Sequence, residues 1–372
     1  MSKKVTIIGA GPAGNFTAYL LAKAGMQVEI YENHNEVGKP VQCSGLVTKT
    51  IKNIDPIFSS LEGITDNKIK KVRLYSKNEE VDLELENPDT VLNRAKFDKF
   101  LALKATAQGA EVNLNSKFIF FRRTDGKIIS RIQEGNRLKD AKSDILIGAD
   151  GYFSKVSKLI GNKQECIPCI QVIISGTYAR DTMDIYFSEQ YRELFAWVVP
   201  TNDTFSEIGL GCKDNLEKKY TDFKLGYKSR YSFDDIVGYT GGPIPLYNSK
   251  AVIEDKNVFL VGDAASQVKA TTLGGIIPSL RAAKVLAESI IEGSSYEQKL
   301  KEIRKELALH SKLREILNKF RDSDYDALFR LLKNEKVKKI FSEYSRDELA
   351  DSKILRRLVF AEPRFLKFAR FF

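Results

Sequence analysis

Cysteine and histidine are scarce in this sequence. Its 372 residues include 4 Cys and 2 His, and so few cysteines in a chain of this length do not form a disulfide framework. Cys166 and Cys169 form a C-x-x-C pair, but a zinc site needs a second pair of ligands, and the only histidines are His34 and His310. We therefore predict no metal site. The pair is interpreted as two structural cysteines or an incidental disulfide, with a redox pair as the alternative.

Long apolar runs are also absent. No run approaches the roughly 18–20 residues that a membrane-spanning helix needs, so no transmembrane segment is predicted. The N-terminus, MSKKVTIIGAG, enters a strand at once and lacks the apolar core and cleavage site of a signal peptide. We therefore expect a cytoplasmic protein. Apolar residues make up 43% of the chain, enough for a sizeable core, and the length favours two or three lobes.

Acidic residues are outnumbered, and the imbalance is uneven. The chain has 59 Lys and Arg against 49 Asp and Glu, a formal net charge of +10. From Tyr296 to the end, 20 basic residues face 13 acidic ones. Candidate partners are nucleic acid, an anionic membrane surface or an acidic substrate, and the alternative is a solvated helical face.

The hydrophobic pattern indicates a lobe interrupted by an insert. Runs typical of buried parallel strands lie at residues 4–9, 144–148 and 257–261. From about 166 to 247, short alternating runs such as IQVIISGTYA and LFAWVVP indicate an antiparallel sheet. The chain from 296 onward is helical in pattern. A lobe that contains all three buried strands must therefore be discontinuous.

A glycine-rich turn joins the first strand to a helix. Gly9, Gly11 and Gly14 form G-x-G-x-x-G. Gly9 permits the tight turn, Gly11 allows the backbone to approach a pyrophosphate, and Gly14 allows the helix to pack on the strand. The helix N-terminus offers unpaired N–H groups to phosphates. Glu32 ends the next strand, where its carboxylate can accept hydrogen bonds from ribose hydroxyls. The pattern predicts a dinucleotide site.

Four motifs in order, GAGPAG, NRAKFDKFL, IGADGYFSKV and FLVGDAA, resemble the FAD superfamily of the p-hydroxybenzoate hydroxylase type. The resemblance implies FAD as the cofactor. In that family the Asp of the Gly-Asp element contacts the ribityl–phosphate region, the Arg lies near the phosphates, and a strand residue meets the adenine through its backbone. The Asp-Gly motif supports FAD and a transient nicotinamide cofactor, with a ligand-free turn as the alternative. The implied contacts are Gly9, Gly11, Ala13, Gly14, Glu32, Arg94, Phe118, Asp150, Gly151, Gly262 and Asp263.

The fold class follows from this resemblance together with the hydrophobic pattern. We predict an α+β or α/β protein with a discontinuous Rossmann-like FAD-binding domain, an antiparallel-sheet substrate domain and C-terminal helices. The FAD-binding domain is expected over residues 1–75, 93–160 and 250–292. The substrate domain is expected over 76–92 and 161–249, and the helical region over 293–372.

A second resemblance narrows the family. EVGKPVQCSGLV, after the second strand, resembles the geranylgeranyl reductase family, in particular the archaeal reductases of digeranylgeranyl glycerophospholipids. Those proteins carry G-[KR]-P-V-x-C here and reduce isolated C=C bonds of isoprenoid chains. LGGIIPSL resembles the family's second flavin contact, where backbone N–H groups at a helix start meet the ring. The implied flavin contacts are Cys43, Ser44, Gly45, Leu46, Gly274, Gly275 and Ile276.

The substrate lobe matches that family in part. The family signature reads roughly P-x-x-Y-x-W-x-F-P, and this chain has RELFAWVVP at residues 192–200. Trp197 and Pro200 match, whereas Phe195 replaces the Tyr and so removes a polar contact or proton donor. Ordinary sheet packing is the alternative role for Phe195 and Trp197. The predicted substrate contacts are Tyr178, Tyr186, Phe187, Phe195 and Trp197.

Cys43 is the candidate catalytic residue. Reduction of an isolated alkene needs a hydride from the flavin, a proton for the other carbon and a dry cleft. Cys43 is the ionisable group that the resemblance implies near the ring. It either shapes the site or relays a proton, and the alternative is a small buried filler.

The last residues, ILRRLVFAEPRFLKFARFF, carry five Arg and Lys against one Glu, with Leu, Val and Phe between them. This composition is typical of an interfacial segment whose basic side contacts anionic lipid headgroups, which would add a peripheral membrane association. The alternative is a C-terminal helix that packs its phenylalanines on the body. Nucleic acid is not expected as a partner.

The leading function is an FAD-dependent reductase of geranylgeranyl chains, with an isoprenoid lipid as substrate. The alternative enzyme class is an aromatic monooxygenase or halogenase that uses NAD(P)H and O₂. A third reading is a flavin-containing regulator or lipid-binding protein. No second G-x-G-x-x-G unit occurs, so NAD(P)H and reduced ferredoxin both remain open as the electron donor.

Overall fold

The computed structural model describes residues 2–176, 179–230, 235–348 and 352–371. Seventeen strands lie within these ranges. In chain order they are β1 (Lys4–Ile8), β2 (Gln27–Tyr31), β3 (Leu46–Val47), β4 (Thr65–Tyr75), β5 (Glu80–Leu92), β6 (Glu111–Asn113), β7 (Ser116–Thr124), β8 (Lys127–Glu134), β9 (Arg137–Ser143), β10 (Ile145–Gly148), β11 (Cys166–Ser175), β12 (Thr182–Tyr186), β13 (Ala196–Pro200), β14 (Phe205–Gly211), β15 (Ile236–Pro245), β16 (Glu254–Asp255) and β17 (Val258–Leu260).

Ten α-helices and several short 3₁₀ turns complete the described part of the chain. The helices are α1 (Pro12–Lys23), α2 (Arg94–Thr106), α3 (Lys155–Leu159), α4 (Leu216–Arg230), α5 (Ile276–Glu292), α6 (Tyr296–Lys299), α7 (Lys301–Leu317), α8 (Asp322–Leu332), α9 (Glu335–Glu343) and α10 (Ser352–Ala361). Each helix in these ranges is too short or too polar to cross a lipid bilayer.

The chain divides into two compact units. The first consists of Met1–Val41, Arg94–Cys166 and Ile244–Ala308, and the second of Gln42–Asn93, Ile167–Pro243 and Leu309–Phe372. A compact unit is a set of mutual contacts rather than an independently folding domain. The domain limits predicted from the sequence therefore stay predictions.

The first unit is built on a six-stranded sheet in the order β16-β17-β10-β1-β2-β6. All neighbours in this sheet are parallel except β16, which is antiparallel to β17. Helices α2 and α5 both pack against α1, and β7-β8-β9 form a separate three-stranded sheet. The predicted discontinuous Rossmann-like lobe is confirmed, since strands from the beginning, the middle and the region near 258 share one sheet.

The second unit is built on an eight-stranded sheet in the order β15-β11-β14-β13-β12-β4-β5-β3. The expected antiparallel character holds for most pairs, but β12 and β4 run parallel. One face of this sheet carries a core around Val172, Val198 and Ile208, covered by Tyr220 and Tyr227 of α4. The sequence pattern missed α4, whose charged residues mask its weak apolar face.

Some strands that are neighbours in the sequence belong to different sheets. β6 lies in the six-stranded sheet, whereas β7, which follows it, lies in the three-stranded sheet. β4 and β5 pair with each other over long runs, Thr65–Tyr75 and Glu80–Leu92. None of the four cysteines, all within the described residues, forms a disulfide.

The C-terminal helices bury apolar residues within the second unit. Ile354 and Leu358 of α10 pack with Val81 and Leu83 of β5. Phe368 stacks on Phe320, with 5.3 Å between the ring centroids. The helical character predicted for this region is confirmed for residues 296–348 and 352–371, and Ile354, Leu358 and Phe368 hold part of the last segment in place.

Candidate functional site

The carboxyl ends of four parallel strands meet at one edge of the six-stranded sheet. Ile8 pairs with Tyr31 and with Gly148, and Gly148 pairs with Leu260. The residues that follow these strands, Gly9, Glu32, Asp150 and Gly262, therefore lie along the same edge. Ligands of open α/β sheets bind at this edge.

The glycine turn is shaped by close backbone contacts. Gly9 has a φ of +102°, and a Cβ there would overlap the Ala149 carbonyl oxygen. A Cβ on Gly14 would overlap the Gly9 carbonyl oxygen, so α1 lies directly on the turn. The space around a Cβ on Gly11 is open, with no protein atom within 4 Å. Gly11 is also the N-cap of α1, and it makes no side-chain cap hydrogen bond to the first N–H groups of this helix. The open space and the uncapped helix end together suit a phosphate group.

Glu32 connects the end of β2 to the glycine turn. Its Oε2 accepts a hydrogen bond from the Ala10 N–H at 2.8 Å. Its Oε1 accepts from the His34 N–H at 2.9 Å and lies 2.6 Å from His34 Nδ1. The carboxylate therefore fixes the turn, and the ribose contact predicted for it stays a prediction.

Arg94 is the positive charge of this unit's candidate site. It begins α2 and pairs with Asp98 through Nε and one terminal nitrogen at 3.2 and 3.0 Å. Burial raises the pKa of Asp98, and the Arg94 charge opposes that rise. Burial also raises the pKa of Asp263, again opposed by Arg94. The Arg94 guanidinium thus opposes the rise in pKa of two buried carboxyl groups, Asp98 and Asp263.

The Gly-Asp element lies at the start of α5. Gly275 is the N-cap of α5 and makes no side-chain cap hydrogen bond. A Cβ on Gly275 would lie 3.2 Å from Asp263 Oδ1, and a Cβ on Gly262 would lie 3.0 Å from the Ala13 methyl. The structure therefore brings Ala13, Gly262, Asp263, Gly275 and the first residue of α5, Ile276, together. Gly274 immediately precedes this group and donates its N–H to the Thr272 hydroxyl.

Asp150 has a structural role that its motif did not reveal. Its carboxylate accepts from the Ser154 hydroxyl at 2.5 Å and from the Lys155 N–H at 2.8 Å. It therefore holds the first turn of α3, while Gly151 continues the turn. Phe118 is buried in β7, where its Cα pairs with that of Ile132. Asp150 and Phe118, both predicted as FAD contacts, therefore offer no side-chain polar group that is free to contact the cofactor.

Taken together, these residues of the first unit fit FAD. The opening at Gly11 and the uncapped start of α1 suit a pyrophosphate, Glu32 suits a ribose, and Arg94 beside Asp263 supplies a polar pair. No group of three or more His, Cys, Asp and Glu side chains in the described ranges is arranged to hold a metal ion.

The second unit holds the Cys43 loop. The Cys43 Sγ accepts a hydrogen bond from the Gly45 N–H at 3.4 Å. Gly45 has a φ of +71°, and a Cβ there would overlap the Leu92 carbonyl oxygen. Ser44 is half-buried, and Leu46 begins β3 and pairs with Val91. The preceding side chain, Gln42, contacts β15 at Gly242, where its Oε1 lies 3.2 Å from the position of a Cβ.

Trp197 lies across three strands on one face of the eight-stranded sheet. Trp197, Gly209 and Gln171 pair in one row. The indole covers Gly209, where any Cβ would overlap the ring, and its Nε1 donates to Gln171 Oε1 at 2.8 Å. Gln171 Nε2 in turn contacts the Thr240 hydroxyl at 2.9 Å. Phe195 lies next to the indole, with 6.1 Å between ring centroids.

The other predicted substrate residues are not gathered at Trp197. Tyr186 packs in the core on the opposite face, stacked on Tyr75 with 4.5 Å between centroids. Phe187 contacts Phe195 but is also packed against Tyr325 and Phe329. Tyr178 lies outside the described residues.

Glu207 of β14 is the polar residue that sequence reasoning missed. Its side chain is 6% exposed, and no described residue hydrogen-bonds its Oε2. Burial, helped by the nearby charge of Asp66, raises the pKa of Glu207 to about 7. The signal was present in SEIGLGC, where a single acid interrupts an apolar strand rich in glycine.

Comparison with known proteins gives a family and close relatives in one class. The family described as FAD binding domain matches residues 2–229. The digeranylgeranylglycerophospholipid reductase 2 of Methanothermobacter thermautotrophicus is 29% identical over 91% of this chain and 94% of its own length. The digeranylgeranylglycerophospholipid reductase of Methanothrix thermoacetophila is 27% identical over 90% of this chain and 93% of its own length.

A solved structure agrees with the fold. The geranylgeranyl bacteriochlorophyll reductase-like protein of Thermoplasma acidophilum superposes with a TM-score of 0.85 over 100% of this chain and 99% of its own, at 24% identity. The fold class and the FAD cofactor predicted from the sequence are confirmed. The resemblance to geranylgeranyl reductases is also confirmed, since the curated relatives carry that class of name.

Gly14 and Gly11 of the glycine turn allow a matched test that separates protein stability from FAD binding. We expect Gly14→Ala to destabilise the protein by about 1–3 kcal/mol, because the new methyl group overlaps backbone. Gly11→Ala has room, so it should change the free energy of unfolding by less than about 1 kcal/mol. The Gly11 methyl should nevertheless weaken FAD binding by roughly tenfold or more, because it fills the space for the phosphates. Urea denaturation and FAD titration measure the two effects, and equal behaviour of the two variants would contradict this assignment.

Glu207 should make stability depend on pH. Its pKa rises from 4.5 to about 7 on folding, so the folded protein keeps a proton that the unfolded chain loses between these values. Stability therefore falls as pH rises through this window, by on the order of 3 kcal/mol for this group.

The isosteric variant Glu207→Gln cannot ionise, so it should be more stable than wild type at pH 8 and similar near pH 5. Urea denaturation at several pH values measures this. The exposed Glu62→Gln is the control and should leave the pH dependence unchanged. A wild-type pH dependence that Glu207→Gln preserves would contradict the shifted pKa.

Proposed function

The chain belongs to the FAD binding domain family, and from that premise we propose that it is a reductase that saturates C=C bonds of geranylgeranyl chains in archaeal membrane lipids or their precursors. The observation that carries the proposal is the face of the eight-stranded sheet on which the Trp197 indole covers Gly209, with Phe195 beside it. The names of the curated relatives support the same class of reaction.

This face of the sheet suits an isoprenoid chain. Trp197 and Phe195 provide apolar side chains, and Gly209 on the neighbouring strand lets the indole approach the sheet, because any Cβ there would overlap the ring. Gln42 at Gly242 brings the Cys43 loop to the same sheet. Burying an apolar chain here costs no unpaired polar group on these residues, because the indole N–H already donates to Gln171.

When bound, reduced FAD supplies the hydride for the reduction. The residues of the chain bind and orient the reactants and exclude water. In the first unit, we assign the phosphates to Gly11 and Arg94 and the ribose to Glu32. The uncapped N–H groups at Gly275 and Ile276 lie at the positive end of α5, where they stabilise negative charge. Asp150 and Gly151 shape the adjoining turn.

Cys43 is proposed to line the reaction site. Its sulfur already accepts the Gly45 N–H, which holds the loop in a tight turn. Two roles are predicted for Cys43, shaping the site and relaying a proton, and only the second makes its thiol take part in the reaction. NAD(P)H and reduced ferredoxin remain the predicted electron donors.

The C-terminal segment is proposed to contact an anionic lipid surface. Ile354, Leu358 and Phe368 are buried, but Phe360 is 91% exposed and Leu366 is 60% exposed. The exposed Arg356, Arg364 and Lys367 flank them in sequence. Exposed apolar side chains among cations are typical of contact with lipid headgroups.

The proposed function predicts a yellow protein that reduces prenyl lipids without oxygen. Purified protein should bind FAD, and after reduction by dithionite it should saturate a geranylgeranyl glycerophospholipid under anaerobic conditions. Mass spectrometry should show products heavier by two hydrogens for each reduced bond. Reoxidation only by O₂, with unchanged lipid, would overturn the proposal and favour a monooxygenase.

Lipid binding should depend on the two exposed apolar residues. Phe360→Ser with Leu366→Ser should weaken sedimentation with anionic vesicles several-fold, because both side chains lose apolar area that can enter the interface. Leu103→Ser, which alters an exposed leucine on α2, is the control and should bind as wild type does. Equal vesicle binding by the double variant and wild type would exclude this surface.

A further inference from the structure

Glu207 lies on the same sheet face as Trp197. In an antiparallel pair, directly opposite residues share a face, and residues two apart on one strand do as well. Glu207 pairs with Val199 on one side and Ile173 on the other. The adjacent row is Trp197, Gly209 and Gln171. The carboxyl group therefore stands one row from the indole, on the face proposed to receive the isoprenoid chain.

The surroundings of Glu207 are those of a neutral acid. Its side chain is more than nine-tenths buried, and no described residue hydrogen-bonds Oε2. Asp66, near the start of β4, is the charged residue that affects Glu207, and its negative charge disfavours ionisation of Glu207. Asp66 itself accepts a hydrogen bond from Asn93 Nδ2 at 3.4 Å. No basic partner stabilises the carboxylate form of Glu207 among these contacts.

A buried acid without a structural partner is costly to keep. A buried carboxyl group that makes no hydrogen bond through one oxygen loses stability that an apolar residue would retain. Such groups are typical of functional sites, where an acid near its pKa delivers a proton efficiently. A substrate that covers this face would bring an alkene carbon that can accept the Glu207 proton.

We propose that Glu207 donates the proton that completes reduction of the isoprenoid double bond, at the alkene carbon that does not receive the hydride. This rests on the proposed function. The hydride from reduced FAD forms one C–H bond with two electrons, and the electron pair of the broken π bond takes the Glu207 proton to form the second. The alkene is reduced by two electrons and the flavin is oxidised by two. Glu207 is left as a carboxylate and regains its proton from water.

The decisive experiment is a single turnover of the dithionite-reduced holoenzyme with a geranylgeranyl glycerophospholipid, under anaerobic conditions across about pH 5.5 to 8.5. In wild type the rate should fall above neutral pH as Glu207 loses its proton. Glu207→Gln should lower the rate by at least about 10²-fold and remove this fall, while Glu207→Asp should restore part of both. FAD binding should be unchanged in both variants.

Asp66→Asn tests the same group from a neighbouring residue. Removing the Asp66 charge makes Glu207 easier to ionise, so the fall in rate should move to lower pH. Difference infrared spectroscopy of the protein without substrate supplies a readout besides activity. A protonated carboxyl band that disappears between pH 6 and 8 should be absent from Glu207→Gln and shifted to lower pH in Asp66→Asn.

The outcomes separate the two proposals. Wild type that saturates no isoprenoid chain overturns the proposed function and, with it, the role of Glu207. Wild type that does so, with Glu207→Gln equally fast and equally pH-dependent, overturns the role of Glu207 alone. Loss of the pH dependence in Cys43→Ala instead assigns the proton to Cys43. If Glu207→Gln does not fold, an unmoved profile in Asp66→Asn overturns the inference.

Discussion

The contact between α1 and the glycine turn is the constraint on which the first unit depends. Gly14 lies against the Gly9 carbonyl, and Gly9 lies against the Ala149 carbonyl, so β1, α1 and the end of β10 meet without a side chain between them. This contact aims the uncapped start of α1 along the sheet edge where Glu32 and Gly262 also lie. A helix end with unpaired N–H groups is costly unless water or a ligand satisfies it. The packing that builds the sheet therefore also creates the site to which we assign the phosphates.

The sequence predicted this region well because its signals are local. Each glycine of the turn has a backbone reason that can be read from spacing, and the order β1, α1, β2 follows from a few consecutive residues. The parallel sheet formed by β10, β1 and β17 was predictable for another reason, since buried parallel strands are apolar on both faces. Asp150 shows the limit: its motif was recognised, but its contacts with Ser154 and Lys155 were not.

The second unit was less predictable because its key contacts join distant segments. Alternation identified the strands but not which sheet face each residue is on, so Tyr186 and Trp197 were both predicted as substrate contacts although they lie on opposite faces. The parallel pairing of β12 with β4 joins residues more than a hundred positions apart. Glu207 was missed for a related reason. One acid in an apolar strand has no meaning until its neighbours across the sheet are known.

The two units place different charges beside their buried acidic residues. In the first unit, burial raises the pKa of both Asp98 and Asp263, and the positive charge of Arg94 opposes that rise. In the second, Glu207 has Asp66 rather than a cation as its charged neighbour, which favours its neutral form on an apolar face. The proposed reduction by hydride transfer would use both environments. Negative charge must be stabilised where the cofactor is held, and a proton must be kept where the hydrocarbon lies.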